Sequence, residues 1–297
     1  MRPLVFHFPD DRHIAAELVD KLDAEAGTLE WHRFPDGESL ITLHGDCVER
    51  DVIVICTLTD PDAKSLALHF SSRTAYELGA RGVGLVAPYL SYMRQDHRFR
   101  PGQALSASAY AKLLSTAFDW LVTVDPHLHR IKRLEEIYSI PAVAVSSMPA
   151  VSEWVGSHVQ DPILIGPDRE SAQWVEHVAH SLDAPWVVLD KVRSGDREVR
   201  VSALDPAILR GRHPVIVDDI ASSGKTLVEV LKQLSPLGAE DATCVIVHAL
   251  LAPGADESLR LAGARRVVST NTVTHPTNAI DIVPLLAAAI DGLLGPK

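Results

Sequence analysis

Apolar residues along this chain fall into short β-branched runs, separated by longer stretches in which they recur every three or four positions. The run "DVIVICTL" (51–58) predicts a strand. Residues 62–79 predict a helix with Ala67, Phe70, Thr74 and Leu78 on its inward side. "GVGLVAPYL" is a further strand, Leu105, Ala109, Leu113 and Ala117 mark a helix, and "DWLVTVD" returns to strand. This alternation is that of a parallel sheet covered by helices, because each parallel crossover needs a helix to return the chain.

The rhythm restarts near residue 160. "DPILIGPD" predicts a strand, Trp174, Val175, Val178 and Leu182 a helix, and "PWVVLDK" the next strand. "HPVIVDD" feeds a helix with Leu227, Val230, Leu231 and Leu234 inward. "ATCVIVHALL", "ARRVVSTN" and an Ala/Leu-rich helix complete the pattern. The expected fold is α/β, with two similar domains, each a mostly parallel sheet flanked by helices. The domains span 1–146 and 147–297 and join around "VSSMPAVSEW", with the final helix left open to pack back on the first. No low-complexity segment or exact repeat interrupts them.

At 297 residues the chain is long enough for two such cores. Its formal charge is -11 and its basic residues are scattered, which argues against a nucleic-acid binder built on clustered Lys and Arg. A local cationic pocket for a phosphorylated small molecule remains compatible with that charge. Cys47, Cys56 and Cys244 have no paired metal-ligand spacing and read as reduced, structural thiols. No apolar run approaches the roughly 18 residues of a membrane span. The start, "MRPLVFHFPDD", turns charged too soon for a signal peptide. A cytoplasmic protein is expected, with no nucleic acid and no membrane among its partners.

In open parallel sheets, ligands sit beyond the carboxyl ends of strands. Four predicted strand ends carry polar chemistry: "VTVDPHLHR", "LIGPDRES", "VVLDKVR" and "VIVDDIASSGKT". One Asp after a strand is ordinarily a helix cap, and four such endings ask for more. The last has the look of a nucleotide-binding P-loop, but Asp219 stands where that pattern needs its first glycine. An acidic side chain there would repel a triphosphate. If Asp218 and Asp219 follow the strand, their carboxylates suit neighbouring sugar hydroxyls. Ser222, Ser223, Gly224, Lys225 and Thr226 then enter a helix whose exposed N–H groups and dipole suit a phosphate monoester. A diol at one end and a phosphate at the other describe a ribose 5-phosphate moiety; the alternative is a plain strand–turn–helix with capping residues. In "PYLSYMRQDHRFRPG", Arg94 and Gln95 offer donors to nucleotide phosphates, Asp96 can orient them, and Arg98 and Arg100 add mobile charge. A solvated charged loop is the alternative.

The segment "DDIASSGKT" resembles the phosphoribosyl-binding loop shared by type I phosphoribosyltransferases and ribose-phosphate pyrophosphokinases, with Lys225 where those families generally carry Gly. That lysine either sharpens phosphate binding or crowds the loop. The loop alone does not choose between the two enzyme classes. The stretch through Arg94, Gln95 and Asp96, with "TVDPHLHR" bearing Asp125 and His127 on an Asp-x-His pattern, resembles the ATP-site half of a pyrophosphokinase. "RFPDGES" resembles that family's flag, which crosses a subunit interface to hold adenine, and implies ATP-binding roles for Phe34, Asp36 and Glu38. "GPDRES" resembles its Ser-Pro-Asp strand end and implies a place for Asp168 near ribose 5-phosphate and metal. "LDKVRSGD" resembles its catalytic segment: Lys191 and Arg193 keep the principal cations, and Val192 replaces a basic residue. "STNTVTHP" and "DIVPLLAAAI" are similar to its closing segment. The motifs occur in the family's order, with departures that mark a divergent member.

The resemblance implies a phosphoribosyltransferase-like fold and transfer of the β,γ-diphosphoryl group of ATP to the 1-hydroxyl of ribose 5-phosphate. The products are 5-phosphoribosyl 1-diphosphate and AMP. It further implies Mg²⁺ held with His127 and Asp168, Lys191 and Arg193 as transition-state cations, and a homodimer or higher homo-oligomer. A local hairpin turning at Asp36 and Gly37 is the alternative to a flag that crosses subunits. Two other functions stand beside this one. A phosphoribosyltransferase would carry a nucleobase hood and no ATP site; a non-catalytic partner would regulate an active synthetase. His129 is either near the metal or a solvent-facing neighbour, and Trp174 and Trp186 read as packing residues.

Overall fold

The β-branched runs form strands where the sequence places them, and both main sheets are parallel throughout. The computed structural model describes residues 1–294 except 190, 195–197, 202–205 and 240, with the backbone alone for 191–194 and 198–201. The chain divides into two units, Met1–Ser146 with Val283–Lys297, and Ser147–Ile282.

In the first unit, β1 (Leu4–His7), α1 (Arg12–Lys21) and the short β2 (Glu25–Ala26) precede an antiparallel hairpin of β3 (Thr28–Arg33) and β4 (Ser39–His44). Then come β5 (Asp51–Ile55), α2 (Pro61–Glu77), β6 (Gly82–Ala87), α3 (Ser106–Ser115), β7 (Trp120–Val124) and β8 (Ala142–Val145). The sheet runs β2-β1-β5-β6-β7-β8. The second unit contains α4 (Met148–His158), β9 (Pro162–Gly166), α5 (Ala172–Leu182) and β10 (Trp186–Val188). A hairpin of β11 (Lys191–Ser194) and β12 (Glu198–Val201) follows, then α6 (Pro206–Leu209), β13 (His213–Ala221) and α7 (Lys225–Leu234). β14 (Ala242–Ala249), α8 (Ala255–Leu261), β15 (Ala264–Thr270) and β16 (Asn278–Ile280) complete a sheet ordered β10-β9-β13-β14-β15-β16. A last helix, α9 (Val283–Asp291), packs on α1, β7 and β8.

The two units repeat one plan. In each, the second strand lies outside the first, an antiparallel hairpin is inserted, and the next sheet strand pairs with the first strand's other side. The central strands are apolar on both faces because helices cover both; Val52 to Ile55 and Cys244 to Val247 are all fully buried.

Helix faces follow the sequence unevenly. On α7, Leu227, Val230, Leu231 and Leu234 are all buried, as their spacing predicts. On α2 the expected face is only partly right: Ala67 is buried and Thr74 half-buried, but the two bulky residues are not. Phe70 and Leu78 are 41% and 42% exposed, and the buried stripe is Lys64, Ala67, Leu68, Ser71, Ser72 and Ala75. Four of those six side chains are Ala or Ser, and the Ser72 hydroxyl donates to the Ala117 carbonyl. On α3 the stripe is displaced in the same way: Ala107, Tyr110, Ala111 and Leu114 are buried, while Ala109 and Leu113 are exposed. The segment expected to join the halves enters α4 at Met148, with proline in its first turn. Trp174 is buried, but Trp186 on the edge strand β10 is 38% exposed. The three cysteines are buried thiols. Among the described residues no helix is long and apolar enough to cross a membrane.

The α2 assignment has a direct test in urea unfolding. Leu68→Ala should cost roughly 2–5 kcal/mol, whereas Phe70→Ser should change stability by less than about 0.5 kcal/mol. The reverse ranking would restore the face read from the sequence.

Candidate active site

In the second unit the strand order reverses between β9 and β13, so the carboxyl ends of these neighbours flank a switch-point crevice. Beyond β9, the Asp168 Oδ1 accepts the N–H groups of Glu170 at 3.0 Å and Ser171 at 3.3 Å, capping one helical turn ahead of α5. Its Oδ2 has no bond among the described residues. β13 runs further than expected: its pairing with β14 continues to Ala221 against Ala249. Asp218 and Asp219 are therefore strand residues and do not follow the strand, because β14 pairs with Asp218 before Asp219 and with Ile220 and Ala221 after it. Asp219 is 5% exposed and its Oδ1 accepts the Ile220 N–H at 2.8 Å. The Asp218 Oδ1 accepts the Asp219 N–H at 3.1 Å.

Ser222, Ser223 and Gly224 then turn the chain into α7. Gly224 caps the helix at φ +69°, a left-handed conformation that glycine takes without a Cβ clash. The Ser222 carbonyl accepts the Ala252 N–H at 2.9 Å, tying the loop to the segment after β14. Ser222 and Thr226 are half-buried and Ser223 is exposed. Lys225 occupies the first helical position with an exposed side chain. The Cys244 thiol is pushed up to about 12 by burial and then by the charge of Asp218, so it stays protonated.

The first unit carries the residues expected to hold ATP. Arg94 and Gln95 are exposed on the loop after β6. Gln95 lines a cavity of about 300 Å³ with His97, Phe99, Gln103, Ala104 and Ser106. The Asp96 side chain is only 3% exposed. Its Oδ1 accepts Arg130 Nη1 at 3.1 Å and faces His97 Nδ1 at 3.3 Å, and its Oδ2 accepts the Arg130 backbone N–H at 3.1 Å. Burial pushes the Asp96 carboxyl up, but the Arg130 N–H, His97 and the guanidinium together outweigh it and hold the group below the usual carboxylate range. Arg130 lies on the loop after β7, three positions past His127, and its pairing with Asp96 was not legible in the sequence. On the same loop Asp125 is 9% exposed at φ +31°, and the His127 and His129 rings stand 6.1 Å apart.

The flag segment is the tip of the β3–β4 hairpin. The Phe34 N–H donates to the Glu38 carbonyl at 2.8 Å, the Gly37 N–H to the Phe34 carbonyl at 2.9 Å, and the Glu38 N–H to Asp36 Oδ1 at 3.1 Å. Gly37 adopts φ +96°, where a side chain would be strained. The hairpin is thus formed within the chain, and its tip presents Phe34, Asp36 and Glu38 to solvent. Lys191 and Arg193 lie on β11, opposite Val201 and Val199 of β12; their side chains lie outside the described residues. Within one unit the structure brings Asp168 to the strand end beside the 218–226 segment, and within the other it joins Asp96 to the 125–130 loop.

The first unit's own switch point, between β1 and β5, is filled by the chain. Lys64, 5% exposed, donates from Nζ to Asp10 Oδ2 at 2.9 Å, the Thr57 carbonyl at 2.8 Å and the Thr59 hydroxyl at 3.2 Å. Asp11, 1% exposed, accepts the Thr57 N–H at 3.0 Å.

Two family models match this chain, one after the other. Residues 4–117 match the N-terminal domain of ribose phosphate pyrophosphokinase, and residues 134–283 match the phosphoribosyl transferase domain. The ribose-phosphate pyrophosphokinase of Methanopyrus kandleri is 32% identical over 95% of this chain and 96% of its own length. That of Methanothermobacter thermautotrophicus is 34% identical over 92% and 95%. The chain belongs to the ribose-phosphate pyrophosphokinase family. The crystal structure of phosphoribosylpyrophosphate synthetase from Mycobacterium smegmatis covers 99% of each chain at a TM-score of 0.87 and 24% identity, so the expected phosphoribosyltransferase-like fold is the one found. The match of the first unit to the pyrophosphokinase domain separates this family from transferases that share the sugar-phosphate loop alone.

No three His, Cys, Asp or Glu side chains gather around a metal position among the described residues. Mg²⁺ keeps several waters and takes one or two carboxylates plus substrate phosphates. The remaining oxygen of Asp168 fits that demand without a preformed cage.

Asp96 generates a prediction about pH. Its folded value lies below the unfolded one, about 4, so its contribution to stability is full above that pH and is lost as pH falls through the folded value. The gap in melting temperature between the protein and its Asp96→Asn variant should shrink as pH drops from about 6 toward 3. A gap that does not change with pH would contradict the assignment.

Proposed function

We propose that this chain transfers the β,γ-diphosphoryl group of ATP to the 1-hydroxyl of ribose 5-phosphate, giving 5-phosphoribosyl 1-diphosphate and AMP. The observation that carries the proposal is one chain with a pyrophosphokinase-type first half and a strand-end Asp-Asp with a helix N-terminus in its second. Asp218 and Asp219 accept the ribose hydroxyls. The N–H groups at the start of α7, with Ser222, Ser223, Gly224 and Thr226, take the 5-phosphate, and Lys225 adds charge. Arg94 and Gln95 hold the ATP phosphates, and Asp96 supports them. Lys191 and Arg193 stabilise the charge that develops around the β-phosphorus as its bond to the α-phosphate oxygen breaks. Asp168 in the second unit and His127 in the first are each residues that would hold Mg²⁺, which would neutralise phosphate charge when bound.

Phe34, Asp36 and Glu38 at the exposed hairpin tip serve the adenine of a neighbouring subunit, which makes a homodimer or larger assembly the working form. Both substrates are cytoplasmic metabolites, and the activity belongs there.

Purified protein given ATP, Mg²⁺ and ribose 5-phosphate should release AMP in step with the 1-diphosphate. Stoichiometric ADP would indicate an ordinary sugar kinase. Tight ATP binding without turnover would favour a regulatory partner. Lys191→Ala should lower kcat by roughly 10²- to 10⁴-fold in a folded protein; an unchanged rate would remove Lys191 from the chemistry. Mixing Asp36→Ala chains with Lys191→Ala chains should restore activity if subunits share sites. Proven subunit exchange with no recovery would refute the sharing.

A further inference from the structure

We propose that Asp96 and Arg130 form a positioning clamp, which fixes the loop carrying Arg94 and Gln95 against the loop carrying Asp125 and His127. Asp96 then acts through Arg130 and not on the nucleotide. The inference rests on the reading that these two loops serve ATP, and it adds a residue, Arg130, that nothing in the sequence motifs assigns.

The geometry is that of a joint. One carboxylate, 3% exposed, reaches a residue 34 positions away and holds both its side chain and its main chain. The two bonds act together: the backbone bond fixes the path of the second loop, and the guanidinium holds the carboxylate in the place from which it makes that bond. Other bonds of the first loop are local or reach the β5 end and α2, as where the Leu58 N–H donates to the Tyr89 carbonyl at 3.0 Å and the Tyr92 hydroxyl to Asp62. Arg98 Nε donates to the Gln103 carbonyl at 2.8 Å, and the Arg100 N–H to Gln103 Oε1 at 2.9 Å. In the second loop, the N–H groups of Lys132 and Arg133 both go to Glu136 Oε1, four and three residues away. Those contacts shape each loop but do not join the two.

Two further features call for such a joint. Each loop contains a non-glycine residue at positive φ, Tyr92 at +64° and Asp125 at +31°, conformations that persist only where the surroundings over-determine them. The first loop also carries Arg94, Arg98 and Arg100, and Asp96 is its one acid between residues 94 and 105. Without that carboxylate the loop would carry cations alone, with no acid to draw Arg130 to it. The clamp sits among solvent-facing residues; the Arg130 side chain is 51% exposed, so breaking it removes little core packing.

The test is a double-mutant cycle on the full-length protein with Mg²⁺, using Asp96→Asn, Arg130→Met and the double variant. Steady-state kinetics are read for each substrate. Each single change should lower kcat/KM for ATP by roughly 10-fold, and the double should be no worse than the poorer single. The KM for ribose 5-phosphate should stay within about twofold, a selectivity that general loosening of the fold would not give. Arg130→Lys returns a side-chain cation to the Asp96 carboxylate and should recover most of the loss. Should Arg130→Met fold poorly, Arg130→Gln paired with Asp96→Asn completes the cycle. Losses that multiply in the double, or an equal rise in both KM values, would overturn the clamp. Arg94→Ala separates the two levels. If it raises the ATP KM while the clamp variants do not, the clamp falls and the ATP loop stands. If it leaves ATP kinetics untouched, both fall.

Discussion

The buried ammonium of Lys64 ties together the loops at the first unit's switch point. A parallel sheet whose strand order reverses leaves a crevice at its carboxyl end, and two such sheets offer two crevices. Burying a charge costs several kcal/mol unless it is paired and each proton finds an acceptor. Lys64 meets that demand with Asp10, the Thr57 carbonyl and the Thr59 hydroxyl, and so closes the first crevice with the chain's own groups. Polar chemistry in that unit is displaced to the ends of β6 and β7, where Arg94, Gln95, Asp125 and His127 lie. In the second unit the equivalent strand end carries Asp218 and Asp219 and runs straight into the N-terminus of α7. One duplicated plan thus yields two different ends.

A chain with a formal charge of -11 that handles two polyanionic substrates must place its positive groups locally. It does so with backbone as much as with side chains. The start of α7 offers N–H groups held by the Gly224 cap, and the carboxylates of Asp168, Asp218 and Asp219 are each fixed by a nearby backbone N–H. Such groups are set before a ligand arrives, which is what transfer between two phosphorylated molecules requires.

Much of this was legible in the sequence. Strands such as Asp51–Ile55 and Pro162–Gly166 are dense β-branched runs, and α7 alternates bulky apolar and polar residues so clearly that its whole inward face is readable. The faces of α2 and α3 were legible only in part, because small residues pack inward there while Phe70, Leu78 and Leu113 point outward. Apolar size misleads wherever small side chains fill the buried stripe. The extent of β13 escaped for a related reason: two aspartates look like a strand end, and only the pairing with β14 shows the ladder continuing. The Asp96–Arg130 joint spans 34 residues, and no local pattern announces a contact of that kind.

The central claim is that ribose 5-phosphate occupies the second unit's switch point and not the first's. Backbone amide chemical shifts on titration with ribose 5-phosphate test it most directly. The account predicts perturbations at Asp168–Ser171 and Asp218–Thr226, with Phe8–Asp11 and Thr57–Lys64 unmoved. Perturbations centred on Thr57–Lys64, with the amides of Ser222–Thr226 unchanged, would contradict it.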